Sequence, residues 1–290
     1  EVNISINEIS YIDKTSLIIP DNLSALKDTE SQGFSYVNNH GPFDIINLDF
    51  CSAISCVDSP DNHQVLYNLC EYQINNTREK WLLFLTTRAE YEQINEQHLP
   101  YYLYCLKRNA DKSSEFGERL RTISDWDISC YSNGVNIIDI LASCRNSNFV
   151  RLFAVGFSKW LLQLLAGNQN GWIVEMLDSC WYRVEKNQAP DSFPNMLSLV
   201  FLFSPVNTSI QDNSGLVQSN QTASVDETSL AMKIINKIES FMDVDFLLDT
   251  NPDRWQDALD ESAALLSAAR YPEDQYRQWA TQRRIRFKQD

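Results

Sequence analysis

The opening residues, "EVNISINEI", set Val2, Ile4 and Ile6 between polar neighbours, and alternation with period two predicts a strand. "SLIIP" at 16–20 predicts a second, short strand that ends at Pro20 and is followed by Asp21 and Asn22. Polar residues dominate "SALKDTESQGFSYVNN", a predicted helical stretch that Gly41 and Pro42 stop. "FDIINLDF" predicts a third strand. Val65, Leu66, Leu69, Cys70 and Ile74 then recur at helical spacing behind a cap at Ser59-Pro60-Asp61. "KWLLFLTTRA" is apolar without interruption between polar ends, the pattern of a strand covered on both faces. A helix from Glu90 to about Leu106, interrupted by Pro100, follows.

Residues 107–148 are polar, with one predicted helix at "NGVNIIDILASC". "FVRLFAVGFSKWLLQLLAG" predicts a long helix ending at Gly167, and "WIVEMLDSCWYRVEK" and "NMLSLVFLFSPV" predict an antiparallel hairpin with a long connection. The Ser/Asn/Gln-rich residues 207–226 read as a linker. Helical periodicity returns in "ETSLAMKIINKIESFM" and "DRWQDALDESAALLSAARY", and restarts after Pro272. Strands alternating with helices predict an α/β fold: a doubly wound, mostly parallel Rossmann-like sheet with a late antiparallel hairpin over 1–206, then the linker, then a C-terminal helical segment over 227–290. Ligands in such sheets bind outside the carboxyl ends of the strands, where Asp21, Asp49 and Thr86 to Arg88 fall. Each has a plainer reading beside it. Asp49 equally suits a strand-end carboxylate accepting backbone N–H groups, Asp21 with Asn22 an Asx-type turn, and the threonine hydroxyls a cap on the next helix.

Charge narrows the choice of partners. The chain carries a formal net charge of −15 over 290 residues, and phosphate contacts need Lys and Arg, so general affinity for nucleic acid is disfavoured. A basic partner, or one local basic patch, suits such a field better. Arg283, Arg284 and Arg286 supply a patch that nucleic acid or an acidic partner would meet, although balancing the surface charge accounts for them more simply. Seven cysteines without CxxC spacing and three histidines argue against zinc, a His-rich metal site and a disulfide framework. Reduced thiols suit a cytoplasmic protein. No apolar run reaches the length of a membrane span. The chain begins at Glu1 inside a strand pattern, which predicts a further segment upstream.

Strand, helix and strand closed by a late antiparallel hairpin resembles the class I S-adenosylmethionine-dependent methyltransferase fold. "FDIINLDFC" resembles that family's fourth strand, "WLLFLTTR" the fifth, and "SCWYRVEK" with "MLSLVFLF" the sixth and seventh. "SLIIPDN" and "EVNISINEI" then resemble its third and second strands. The resemblance implies S-adenosylmethionine as cofactor, with Asp21 near the adenine amino group and Glu8 nearest the ribose. It further implies Asn22 and Asn47 in the cofactor set and Asp49 as the catalytic group. "GPFDIINLD" and "WLLFLTTRA" also resemble a divergent bacterial group of methyltransferase-like proteins associated with multi-gene antiphage defence clusters, which implies a protein partner in a complex. The glycine-rich first-strand loop of the family is not in this sequence, and Asp49-Phe50-Cys51 lacks the Pro-Pro-aromatic sequence of the amino-methylating enzymes. The function implied is therefore a degenerate scaffold or sensor subunit, with an active methyltransferase acting on nucleic acid or protein as the alternative.

Overall fold

The computed structural model of the chain describes residues 16–19, 21–56, 61–90, 93–95, 97–131, 147–166, 171–184, 193–206 and 226–289. Glu8 with its predicted strand, the predicted helix near 133–144 and nearly all of the predicted linker lie outside them. Contacts divide the chain into two units, the larger made of 23–184 with 193–242 and the smaller of 1–22, 185–192 and 243–290. The unit boundary therefore falls after the helix at 227–239, and not before it.

In the larger unit a 3-10 turn, Leu23–Lys27, precedes helix α1, Gln32–His40. Ser31 caps α1 by accepting the Phe34 N–H at 3.1 Å, and Phe34 and Val37 are its buried residues along with Gly33. Strand β1, Ile45–Ala53, and helix α2, Asn62–Asn76, follow. The buried side-chain amide of Gln73 in α2 holds the entry to β1. It accepts the Phe43 N–H at 2.9 Å and donates to the Phe43 carbonyl at 2.6 Å, satisfying both backbone groups just before the ladder begins. Strand β2 is Trp81–Arg88. Helix α3, Leu99–Lys112, has Pro100 in its first turn, where proline lacks no needed donor, so Pro100 starts this helix rather than interrupting one. Helix α4, Ser114–Ser124, lies in the stretch whose sequence is polar, and buries Phe116, Leu120 and Ile123 on one side.

Helix α5, Ser147–Ala166, leads to β3 (Trp172–Met176), β4 (Cys180–Tyr182) and β5 (Met196–Pro205). β1 and β2 pair in parallel, and β5 pairs antiparallel with β2 on one side and with β3 and β4 on the other. β1 to β4 thus all point one way, and β5 alone among these five runs back between them. This is a mixed α/β architecture with a mostly co-directional sheet and a late antiparallel return. β3 and β4 lie one after the other along β5, and a two-residue strand, Met242–Asp243, extends the sheet beyond β4. The break between β3 and β4 is sealed by Ser179, whose hydroxyl accepts the Val200 N–H at 3.1 Å and donates to the Leu177 carbonyl at 3.0 Å.

One face of the sheet enters the core in register. Ile46, Leu83 and Phe201 form one buried row, Leu48, Leu85 and Leu199 the next, and Trp81 stacks on Phe203 at 3.7 Å between ring centres. Phe149, Phe153 and Phe157 of α5 and the fully buried Phe116 and Leu120 of α4 belong to the same core. The opposite face is only half-buried: β2 alternates buried and intermediate positions, and Ile45 is 59% exposed. The unbroken apolar run of β2 therefore overstates its covering. Helix α6, Glu227–Glu239, is capped by Asp226 and buries Ile234, Ile235 and Ile238 in this core.

In the smaller unit, residues 16–19 have no regular secondary structure and Leu17 is exposed, so the strand predicted there does not form over these residues. Its three consecutive apolar residues, Leu17 to Ile19, lack the alternation that would give one face to a sheet. Helices α7 (Val244–Thr250), α8 (Pro252–Ala268) and α9 (Glu273–Gln289) make up the rest of the described unit. Asn251 caps α8 by accepting the Arg254 N–H, with Pro252 in the first turn. Among the described residues no helix is long and apolar enough to cross a membrane.

Candidate functional site

The parallel register of β1 and β2 brings their carboxyl ends together, Asp49 opposite Thr86 and Ala53 opposite Arg88, with an irregularity between. On the half-buried face, Asp49, Thr86, Ser198 and Cys180 form one polar row across four strands. Asn47 stands two residues before Asp49 on the same exposed side of β1, in register with Phe84. Burial, and secondarily the Asp49 carboxylate, raise the pKa of the Tyr182 phenol. Asp49 is thus open to solvent, and a phenol stands within its field.

The rest of this edge is bonded to itself. The buried Thr87 hydroxyl accepts the Ile54 N–H at 2.8 Å and lies 3.1 Å from the Arg88 carbonyl, so it ties the exit of β1 to β2 and caps no helix. Glu90 accepts from the Asn195 side chain at 2.5 Å, from the Gln93 side chain, and from Arg88 at 3.4 Å. Asn195 in turn accepts the Val184 N–H at 3.1 Å. These polar groups join β2 to the start of β5 and the end of β4.

Just beyond β1 the chain makes a second, more enclosed polar cluster. Ser55 is fully buried, its carbonyl accepts the Asn95 N–H at 2.5 Å, and its hydroxyl lies 2.9 Å from the Tyr102 hydroxyl and 3.3 Å from His63 Nε2. His63 Nε2 also bonds Tyr102 directly. His63 stands in the first turn of α2, while His98 directly precedes α3. Their rings lie 4.2 Å apart, and Trp160 of α5 meets His63 edge-on at 5.0 Å. Burial first, and then the neighbouring His98, lower the His63 pKa to about 3; burial also lowers that of His98 and raises that of Tyr102. Both imidazoles are therefore neutral at ordinary pH. Each has a buried Nδ1 without a hydrogen-bond partner among the described residues. Composition treats the histidines only as a metal question, and the four residues come from two segments, 55–63 and 98–102, that the sequence does not show to be in contact. The signal available is that both histidines stand at the start of helices that follow strands, where α/β sheets place their ligands.

The residues nominated from sequence are divided between the two units. Asp49 and Asn47 belong to the larger unit. Asp21 and Asn22 belong to the smaller unit, where both are exposed and the Asp21 carboxylate accepts the N–H of the next residue, Asn22, at 2.8 Å, one residue short of the bond that defines an Asx-type turn. Glu8 is outside the described residues. Of the cofactor set the resemblance nominates, the larger unit contains Asn47 alone. Arg283 and Arg284 lie on α9, Arg283 over the Trp279 ring at 5.1 Å, and Arg284 over Trp255 at 4.5 Å and bonded to the Leu248 carbonyl. Among the described residues no group of three or more His, Cys, Asp or Glu side chains is arranged to hold a metal ion.

A family model described as PP_RS20740-like matches residues 2–281. No curated protein and no solved structure matches the chain.

Proposed function

The chain belongs to the PP_RS20740-like family, and we propose that it is a methyltransferase-fold protein serving as a scaffold or sensor subunit of a bacterial multi-protein assembly of the antiphage-defence kind. The observation that carries this reading is the sheet. Strands β1 to β4 point one way and β5 returns antiparallel among them, the arrangement expected from the resemblance to class I S-adenosylmethionine-dependent methyltransferases. The state of the carboxyl edge supports a scaffold over an enzyme. Thr87, Arg88, Glu90, Gln93 and Asn195 bond one another and the backbone, which leaves fewer groups directed outward to hold a ligand. The cofactor candidates are also divided: Asn47 stands in one unit, and Asp21 and Asn22 in the other. The described residues of the larger unit therefore do not make up a cradle for S-adenosylmethionine, and no transfer step is derived.

A second reading, an active methyltransferase on nucleic acid or protein, is favoured by one observation. Asp49 is exposed at the carboxyl half of β1, its charge felt by the Tyr182 phenol, and an acceptor would have access to it. Titration calorimetry of the full-length chain with S-adenosylmethionine, together with transfer of a radiolabelled methyl group to nucleic acid and to co-purified proteins, separates the readings. A scaffold gives neither heat nor label, and a sensor gives heat without label. Label that disappears in Asp49→Ala would overturn the proposal in favour of the enzyme.

A further inference from the structure

From Arg277 to Gln289 helix α9 contains no acidic residue, although the whole chain carries a net charge of −15. The same stretch contains five arginines and lysines, Arg277, Arg283, Arg284, Arg286 and Lys288. They are not equivalent. Arg277 is paired with Asp260 and Glu273, and Arg284 is drawn inward onto Trp255 and the Leu248 carbonyl. Arg283 points elsewhere: its guanidinium lies 5.1 Å from the centre of the Trp279 ring, and no acid is paired with it among the described residues. Trp279 is 53% exposed, and the Tyr276 ring lies 5.9 Å from it at an interplanar angle of 30°. Tyr276, Trp279 and Arg283 are spaced three and four apart and so share one stripe of the helix, and position 286 continues it.

We propose that this stripe is a platform for single-stranded nucleic acid, with the Trp279 and Tyr276 rings stacking on bases and Arg283 meeting phosphate. A half-open indole has little packing role, and unpaired bases offer the flat faces that such rings stack upon. Acid-free, basic sequence is complementary to a phosphate backbone, and guanidinium beside an aromatic ring is a recurring element of such surfaces. A duplex keeps its base faces stacked and hidden, so the platform selects single strands. The rest of the molecule is acidic, so binding is confined to this stripe and weakens steeply with salt.

The test uses the full chain and a fluorescein-labelled oligothymidylate of about twenty nucleotides, followed by anisotropy from about 20 mM to about 200 mM salt. Saturable binding at low salt is expected, with weaker binding to a duplex of equal length. Trp279→Ala should weaken it about ten-fold. Arg283→Gln should weaken it and reduce the slope of log affinity against log salt by about 0.7, the share of one phosphate on a single strand. Both side chains are at the surface, and matching melting temperatures with the unaltered chain show that the fold is kept. If Trp279→Ala alone lowers the melting temperature, Trp279→Phe keeps a stacking ring and should retain most of the affinity. Three results would overturn the proposal: no binding at low salt, binding indifferent to both substitutions, or displacement by poly-glutamate as effective as by unlabelled oligothymidylate. The last would assign the stripe to an acidic polypeptide instead.

Discussion

His63 is held neutral by its surroundings, and the sign of the consequence is fixed by where its proton is bound. In the unfolded chain the imidazole has its ordinary pKa of 6.5; in the folded chain burial and His98 lower it to about 3. Above pH 6.5 neither state is protonated and His63 adds no pH dependence. As pH falls below 6.5 the unfolded chain takes up a proton that the folded chain refuses, so stability is lost progressively towards pH 3. From this group the loss at about pH 5 is about 2 kcal/mol. Urea midpoints at about pH 7.5 and about pH 5 measure it. In His63→Gln the drop between them should shrink by about that amount. An equal drop in both proteins would show that His63 is not the group responsible. Cys70 illustrates the same logic with another sign: full burial pushes its thiol up to about 12, which leaves it an inert packing group. Little of this is legible in sequence, because the His63 pKa is set by burial and by His98, which folding brings from 35 positions away.

At the scale of elements, legibility follows the number of faces a pattern must satisfy. β1, β5 and α5 are readable because a strand with one fully buried side and a helix deep in the core both impose long, regular apolar sets. α4 hides in a polar stretch because only Phe116, Leu120 and Ile123 mark its inner side. "SLIIP" misleads in the opposite sense, since apolarity without alternation does not specify a ladder. The crossing of α3 and α5 shows where a single residue decides an element's placement. A Cβ at Gly156 of α5 would lie 2.9 Å from the Tyr102 Cβ of α3, closer than two carbons pack. Helical propensity alone favours Ala over Gly by about 1 kcal/mol in a helix interior. Here the overlap is with the root of a side chain rather than its flexible end, and pushing helices apart costs about 1–3 kcal/mol. Gly156→Ala should therefore destabilise by about 1 kcal/mol net, read as a lower urea midpoint at unchanged slope. A stabilised variant would mean that the helices yield at no cost.

For the molecule as a whole, the division into units is the feature least visible in the chain, because the smaller unit is assembled from three separate segments. Composition suggests a boundary in the Ser/Asn/Gln-rich stretch before residue 227, but α6 lies on the far side of it and buries Ile234, Ile235 and Ile238 in the larger unit's core. Lys159 of α5 fixes that placement further. Its side chain is 1% exposed and its ammonium is paired with Glu227. Burial would raise the Glu227 pKa, but the ammonium outweighs it and holds the carboxyl below its ordinary range. An unpaired ammonium at that depth is costly, so α5 and α6 are bound to stay together. Every buried side chain of the continuous core falls between Val37 and Ile238. The cooperative unit should then be residues 23–242, and a chain ending at 242 should keep a single urea transition and the near-ultraviolet dichroism of the stacked Trp81 and Phe203. A second chain ending at 226 removes α6 and leaves Lys159 buried without its partner; it should lose that cooperative transition. If both truncations unfold alike, the core depends on residues beyond 242, and the boundary drawn here is in the wrong place.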